Sequence, residues 1–117
     1  MPTVLIVDDH PSFRSSARAI LEADGFDVVG EASDAASALA VSRRLAPDVV
    51  LLDIALPDGD GIELTEELRR LDGDRPAVVL VSSRDRSDYG ASLDDCGAVG
   101  FIPKGELSGP RLAELLR

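Results

Sequence analysis

The sequence is poor in cysteine and in basic residues, and each shortage excludes a class of protein. Cys96 is the only cysteine among the 117 residues, so no disulfide can form within the chain and a reducing compartment suits it. We expect Cys96 to be a small buried hydrophobe at the end of a helix, just before Gly97. Twelve Lys and Arg against 22 Asp and Glu give a net charge of −10, which opposes non-specific binding to nucleic-acid phosphates.

Long apolar runs are absent as well. No stretch approaches the roughly 18 consecutive apolar residues of a membrane span, and the N-terminus lacks the basic and apolar regions of a signal peptide. The sequence therefore predicts a cytoplasmic protein with no membrane partner. Hydrophobic residues make up 44% and charged residues 29%, which is typical of a globular chain, and the length predicts one domain with its own core.

Short apolar runs alternate with segments of helical period along the whole chain. This alternation predicts repeated βα units and hence an α/β fold with a parallel sheet. The runs are continuous, as expected for strands that are covered on both faces. The predicted strands lie near residues 3–7, 27–31, 48–53, 77–82 and 98–102. The second run is the least apolar, which favours a position at the sheet edge.

Five segments between and after these runs have apolar residues at helical spacing. The spaced residues are Phe13, Ala17, Ile20 and Leu21 in the first segment, Ala35, Leu39 and Leu45 in the second, Leu64, Leu68 and Leu71 in the third, Tyr89, Leu93 and Cys96 in the fourth, and Leu112, Leu115 and Leu116 in the fifth. Ser33 or Asp34 is expected to cap the second helix. The fourth contains Gly90, which predicts a helix of low stability.

Polar side chains stand where four of the predicted strands end. Asp8 and Asp9 follow the first strand, Asp53 ends the third, Ser82 ends the fourth, and Lys104 follows the fifth. In an open parallel sheet, ligands bind beyond the carboxyl ends of the strands. We therefore expect these side chains to meet at one edge of the sheet.

The residue types at this edge indicate phosphoryl chemistry assisted by a metal ion. Carboxylates that lie close together repel one another unless a cation compensates, and Mg²⁺ suits carboxylate, water and phosphate oxygens. A carboxylate beside such an ion can attack phosphorus and form an aspartyl phosphate. Asp53 is the candidate nucleophile because it stands alone in mid-sheet, while Lys104 and Ser82 would supply a charge and a hydroxyl donor to the phosphoryl oxygens.

At these residues the chain closely resembles the receiver domain of bacterial two-component response regulators. The resemblance covers essentially all of the chain, and its ordered set of residues is Asp8, Asp9, Asp53, Ser82, Phe101 and Lys104. It implies a flavodoxin-like (βα)5 three-layer sandwich with a parallel five-stranded sheet in the order 2-1-3-4-5. It also implies that residues 1–117 form one receiver domain.

The resemblance further implies a role for each of these residues. Asp53 would accept a phosphoryl group from a sensor histidine kinase, with Mg²⁺ or Mn²⁺ as the cofactor. The implied metal ligands are Asp8, Asp9, Asp53 and the backbone carbonyl of Ala55. Ser82 and Phe101 look like the pair that reorients on phosphorylation, and Lys104 looks like the lysine that contacts the phosphate. Gly105 stands where family members commonly have proline.

The opening Val7-Asp8-Asp9-His10-Pro11 resembles the subgroup of response regulators that carries a C-terminal helix-turn-helix output domain. We expect no output domain within residues 1–117, so the chain is either a stand-alone receiver or a fragment cut at the end of the receiver domain. Any effect on transcription would need an output domain or partner, and DNA would be contacted only through that domain. A stand-alone receiver that acts through protein–protein contacts is the alternative. Either form is compatible with a homodimer that assembles on phosphorylation.

Other functions fit the residues less well. A phosphatase with an aspartyl nucleophile would want a second acid two residues after the nucleophile, where this chain has Ala55. A nucleotide-binding domain would want a glycine-rich first loop in place of the acidic one. We therefore expect a signalling domain that takes part in its own phosphorylation and hydrolysis without being a turnover enzyme. Asp58 and Asp60 are expected to be turn residues, and His10 a solvated loop histidine.

Overall fold

The computed structural model describes residues 2–72, 76–83 and 96–116. The strands are β1 (Thr3–Val7), β2 (Asp27–Ala32), β3 (Val49–Asp53), β4 (Ala55–Leu56), β5 (Gly59–Asp60), β6 (Ala77–Ser82) and β7 (Gly100–Pro103). The helices are α1 (Pro11–Ala23), α2 (Ala35–Leu45), α3 (Gly61–Asp72) and α4 (Gly109–Leu115), and a 3₁₀ turn spans Lys104–Glu106. Most of the fourth predicted helix, with its predicted low stability, lies outside the described residues.

Five strands form one parallel sheet in the order β2-β1-β3-β6-β7. This is the predicted order 2-1-3-4-5, because β4 and β5 form a separate antiparallel hairpin after β3. The weakly apolar β2 lies at an edge, as predicted. Each predicted strand agrees with an observed one to within about two residues, which is the usual uncertainty at the end of an element.

The sheet has an apolar cluster on each face, which explains why its strands read as continuous apolar runs. In β1, Val4 and Ile6 join the cluster under α1 and α4, whereas Leu5 and Val7 join the cluster under α2 and α3. Each of these four side chains is fully buried. Burying a side chain of this size stabilises the fold by about 1.5 to 3 kcal/mol, so the three-layer arrangement follows from the strand sequences.

Two apolar residues of the helices remain partly exposed. Ile20 in α1 and Leu45 in α2 each keep 37% of their surface exposed. A helix that covers a sheet buries only a stripe of its surface, and in α1 that stripe contains Ala17 and Leu21. Of the two predicted caps of α2, Asp34 is the one used, since its Oδ1 accepts the Ser37 N–H at 2.8 Å.

Two further expectations are that Cys96 is buried and that no segment spans a membrane. Cys96 is buried, as predicted, and Gly97 has φ +93°, a conformation that favours glycine. Within the described ranges, the helices are all too short or too polar to cross a lipid bilayer.

Candidate functional site

The sheet topology brings the first and third strand ends together. β1 and β3 are neighbours, with Val7 paired to Leu52, so Asp8 and Asp53 follow side by side at the carboxyl edge. Asp8, Asp9, His10 and Asp53 each offer one ligand atom, and these four atoms all lie within 4.8 Å of one another. The structure thus brings the three predicted carboxylates together and adds a histidine to them.

The carboxylates differ in their access to water. The side chain of Asp8 is fully buried and that of Asp53 is 5% exposed, whereas Asp9 is 37% exposed. Burial and the neighbouring negative charge of Asp8 raise the pKa of Asp53, although Lys104 and the Ala55 N–H partly offset this. That N–H donates to Asp53 Oδ1 at 3.2 Å. The site therefore favours any cation that can neutralise two buried carboxylates.

Lys104 supplies one such cation from within the chain. Its Nζ lies 2.6 Å from Asp8 Oδ2 and 3.3 Å from Asp53 Oδ2, and 4.6 Å from the centre of the Phe13 ring. Burial acts to lower the pKa of Lys104, but Asp8 and Asp53 together outweigh it and raise that pKa. Because one ammonium faces two buried carboxylates, the net charge of the three groups is negative.

The donor set fits a hard divalent cation. Carboxylate oxygens are the ligands that Mg²⁺ and Mn²⁺ prefer, and one side of the set, at Asp9, is open to water. Asp8 Oδ2 is buried and, within the described chain, touches the Lys104 ammonium without a hydrogen bond of regular geometry. A buried carboxylate oxygen held only by a flexible lysine is available to a stronger cation.

The other predicted site residues are Ser82, Phe101 and Ala55. Ser82 is buried at the end of β6, one residue past the Val81 that pairs with Asp53, and is itself paired with Pro103. Phe101 lies in β7 opposite Leu80, is half-buried, and packs against the cluster under α2 and α3. Ala55 is exposed in β4. Ser82 is thus at the predicted edge, whereas Phe101 is set back from it by about two residues.

The loop from Asp53 to α3 is held closely to the sheet. The Gly61 N–H donates to the Ile54 carbonyl at 2.7 Å, and a Cβ on Gly61 would lie 2.5 Å from the Asp53 carbonyl oxygen. Asp60 Oδ1 accepts the Ile62 N–H at 2.7 Å in the first turn of α3. Asp58 does more than shape a turn, because its two carboxylate oxygens accept the first N–H groups of α2.

Sequence reasoning missed three residues beside the carboxylates. The His10 side chain is 64% exposed, as a loop histidine should be, yet its Nδ1 lies 3.0 Å from Asp8 Oδ1 and 3.1 Å from Asp9 Oδ1. Phe13 carries Lys104 on its ring, and Arg14 Nη1 donates to the Asp8 carbonyl. The available signal was that α1 begins immediately after the acidic loop, so its first turn must face that loop.

Comparison with known proteins identifies the family. The model of the response regulator receiver domain matches residues 4–117. The nitrate/nitrite response regulator protein NarP of Escherichia coli is 41% identical over 102 residues, which are 86% of this chain and 47% of NarP. The response regulator GacA of Pseudomonas aeruginosa is 37% identical over 106 residues, which are 90% of this chain and 49% of GacA. The chain thus spans about half the length of these curated relatives.

A solved structure agrees with this match. The structure of a LuxR-family two-component response regulator from Aurantimonas superposes with a TM-score of 0.85 at 31% identity, covering 99% of this chain and 86% of that one. Receiver domains of this family bind Mg²⁺ at an acidic pocket, and the Asp-rich group at this sheet edge offers four ligand atoms to a metal ion. By sequence and fold, the chain belongs to the receiver domain family of two-component response regulators.

Proposed function

We propose that Asp53 is the phosphoacceptor of this receiver domain and that a sensor histidine kinase is the donor. The observation that carries the proposal is the buried Asp53 carboxylate, whose Oδ2 lies 3.3 Å from the Lys104 ammonium and whose pKa is raised by burial and by Asp8. In this buried environment, the ionised Asp53 carboxylate is stabilised when a cation or an electrophile takes up part of its negative charge.

The transfer is a displacement at phosphorus. A carboxylate oxygen of Asp53 forms a bond to the phosphorus of a phosphohistidine, and the phosphorus–nitrogen bond breaks as the imidazole leaves with its electron pair. Mg²⁺ or Mn²⁺, when bound, would supply the positive charge that offsets the phosphoryl oxygens and the carboxylates. We assign its ligands to Asp8, Asp9, Asp53 and the backbone carbonyl of Ala55.

The residues around Asp53 then respond to its product. Lys104 lies close to both buried carboxylates and, when Asp53 carries a phosphoryl group, its ammonium gains oxygen partners there. Ser82 at the end of β6 supplies a hydroxyl donor from the neighbouring strand. We propose that Phe101 reorients with Ser82, although it is set back in β7.

The output of this response depends on what the domain is joined to. The matched relatives carry names of response regulators and are about twice as long, so we propose that this domain controls transcription through an output domain or partner, in the cytoplasm. Contact with DNA would then be made by the output domain, and phosphorylation would favour a homodimer. A receiver that acts alone through protein contacts is the second candidate.

We further propose that the domain is not an enzyme with turnover on a free metabolite. A phosphatase of the aspartyl type needs a general acid two residues after the nucleophile, and Ala55 occupies that position. The domain itself would catalyse only the gain and loss of its own phosphoryl group. Release of phosphate from p-nitrophenyl phosphate over many turnovers would contradict this.

The test of phosphoacceptor function uses acetyl phosphate as the donor. The protein is incubated with acetyl phosphate and MgCl₂, and its intact mass is measured by electrospray. We expect the mass of one phosphoryl group to be added to the wild-type protein, none to Asp53→Asn, and one to the matched control Asp60→Asn, whose carboxylate lies in the same loop. No added mass in the wild type at any Mg²⁺ concentration, or the same addition in Asp53→Asn, would refute the assignment.

A further inference from the structure

We propose that Arg14 is a positioning residue for the acidic site, because it holds the backbone of Asp8 and thereby orients the Asp8 carboxylate. The inference rests on the proposed function, in which that carboxylate holds the metal ion. Arg14 lies in the first turn of α1, and its Nη1 donates to the Asp8 carbonyl oxygen. Its side chain is 18% exposed, so this hydrogen bond is partly shielded from water.

Arg14 makes one of the contacts that fix Asp8, in addition to the ion pair of Lys104 with its Oδ2 and the approach of His10 Nδ1 to its Oδ1. The Asp8 N–H donates to the Ala32 carbonyl of β2 at 3.0 Å, and the His10 N–H donates to Asp8 Oδ1 at 2.7 Å. Arg14 takes the remaining backbone group, the carbonyl. With its backbone held by Ala32 and Arg14 and its Oδ1 held by His10, the Asp8 carboxylate is ordered before a metal ion binds, so metal binding does not have to supply that ordering.

Glu31 fixes the guanidinium of Arg14. Arg14 Nε donates to Glu31 Oε1 at 3.1 Å, which leaves Nη1 directed at the Asp8 carbonyl. Because a guanidinium is a rigid planar fork, holding its Nε on β2 also sets the direction of its Nη1. The edge strand and the acidic loop are therefore joined through one side chain.

Arg18 offers a matched control one helical turn later. Its Nε donates to the other carboxylate oxygen of Glu31 at 2.9 Å, and its Nη1 contacts Glu22 and the Val28 carbonyl. Its described partners are thus on β2 and α1, and Asp8 is not among them. Removing Arg18 takes away an ion pair with the same glutamate but leaves the Asp8 carbonyl bonded.

The experiment compares Arg14→Ala, Arg14→Lys and Arg18→Ala with the wild type. Mg²⁺ affinity is measured by isothermal titration calorimetry in the absence of phosphodonor, and Tm by differential scanning calorimetry. We expect both alanine variants to lose Tm, whereas the Kd for Mg²⁺ rises roughly tenfold only in Arg14→Ala, as is typical when a residue that orients a metal ligand is removed. Arg14→Lys should fall between, because one ammonium cannot reach both Glu31 and the Asp8 carbonyl in the guanidinium geometry.

A second readout reports the acidic loop itself. In ¹⁵N-labelled protein without Mg²⁺, the His10 amide resonance should shift in Arg14→Ala and stay near its wild-type position in Arg18→Ala, since this amide donates to Asp8 Oδ1. An unchanged Mg²⁺ Kd in Arg14→Ala, or an equal rise in both alanine variants, would overturn the positioning role. If Arg14→Ala does not fold, the same comparison of Arg14→Lys with Arg18→Ala decides the question.

The two proposals fail in different ways. If the wild type neither binds Mg²⁺ nor gains a phosphoryl group from acetyl phosphate, the proposed function is wrong. If the wild type does both and Arg14→Ala does so equally well, only the role of Arg14 is wrong.

Discussion

At the scale of single residues, two groups of charges in this domain have opposite effects on its stability. At the acidic site, two buried carboxylates share one lysine, which leaves a negative balance. On the outer edge, Glu31 pairs with two arginines, at 3.1 Å from Arg14 and 2.9 Å from Arg18. In the first group, repulsion between the carboxylates destabilises the fold, and a bound cation can relieve it. In the second group, the ion pairs stabilise the fold.

The Glu31 group predicts a pH dependence of stability. The hydrogen bond from Arg18 lowers the pKa of Glu31, burial opposes it, and Arg14 lowers it further. A carboxyl with a lowered pKa in the folded state stabilises the fold above its unfolded pKa of about 4.3, and this contribution is lost as the pH falls through the folded value. We expect Glu31→Gln to lower the free energy of unfolding by about 0.5 to 1 kcal/mol at pH 7, as for a partly exposed ion pair.

The measurement is urea denaturation at pH 7 and at pH 3. The difference between wild type and Glu31→Gln should shrink at pH 3, because the pH has then fallen below the unfolded pKa of about 4.3 towards the lowered pKa of the folded state. Glu22→Gln is the control, since Glu22 pairs with Arg18 on the exposed face of α1 and should change stability less. A difference that keeps its size at pH 3 would show that packing, not charge, accounts for it.

Two glycines near the site are predicted to respond to alanine in opposite ways. A Cβ on Gly61 would lie 2.5 Å from the Asp53 carbonyl oxygen and 2.7 Å from Ile54 Cα, both of them backbone atoms that cannot move aside. A Cβ on Gly105 would meet nothing within 4 Å. Gly61→Ala should therefore destabilise the domain by 1 kcal/mol or more, on the order of the cost of a strained backbone.

Gly105→Ala should instead stabilise the domain by about 0.4 to 1 kcal/mol, because alanine restricts the unfolded chain without a clash in the folded one. Thermal unfolding of both variants in one buffer checks the pair. A stabilised Gly61→Ala would mean that the loop after Asp53 is not packed as tightly as its contacts indicate.

At the scale of elements, the hairpin β4–β5 joins the acidic site to a helix on the face of the sheet. Asp58 precedes β5, and its Oδ1 and Oδ2 accept the N–H groups of Ala35 at 2.7 Å and Ala36 at 3.1 Å. The start of α2 is thus capped twice, by Asp34 from its own chain segment and by Asp58 from across the fold. A negative side chain is also favourable beside the positive end of the helix dipole.

We predict that Asp58→Ala lowers stability by about 1 kcal/mol, the usual cost of losing a helix cap. It should also speed hydrogen exchange at the amides of Ala35 and Ala36. Asp60→Ala is the comparison, because Asp60 caps α3 and its loss should leave the α2 amides unchanged. Equal exchange at Ala35 and Ala36 in wild type and Asp58→Ala would exclude the second cap.

The five strands of the parallel sheet and the described α-helices were predictable from the sequence because their signals are local, whereas the short β4–β5 hairpin was not predicted. Continuous apolar runs identify strands covered on both faces, and the polar residues at their ends identify the edge where Asp8, Asp9, Asp53 and Lys104 meet. Residues whose partners belong to another element escaped prediction. Nothing near Asp58 in the sequence specifies α2, and nothing near Arg14 specifies the Asp8 carbonyl, because both contacts depend on how helices dock on the sheet.

At the scale of the whole molecule, two electrostatic effects act on the folded state and can be separated. A net charge of −10 on 117 residues produces self-repulsion that any salt screens. The buried carboxylates of Asp8 and Asp53 form a local negative cluster with ligand atoms for a metal ion. NaCl should relieve the first effect alone, whereas MgCl₂ should relieve both.

We therefore predict that MgCl₂ raises the Tm of the wild type more than NaCl does at equal ionic strength. A ligand at about 100 times its Kd adds about 2.7 kcal/mol to the free energy of unfolding. At such a Mg²⁺ concentration, the extra rise in Tm over NaCl should correspond to a stabilisation of about that size. Asp53→Asn should start from a higher Tm without Mg²⁺, since it removes a buried charge whose pKa is raised by burial and by Asp8. It should respond to NaCl like the wild type and gain less from MgCl₂; equal responses to the two salts in the wild type would mean that the acidic cluster does not hold the ion.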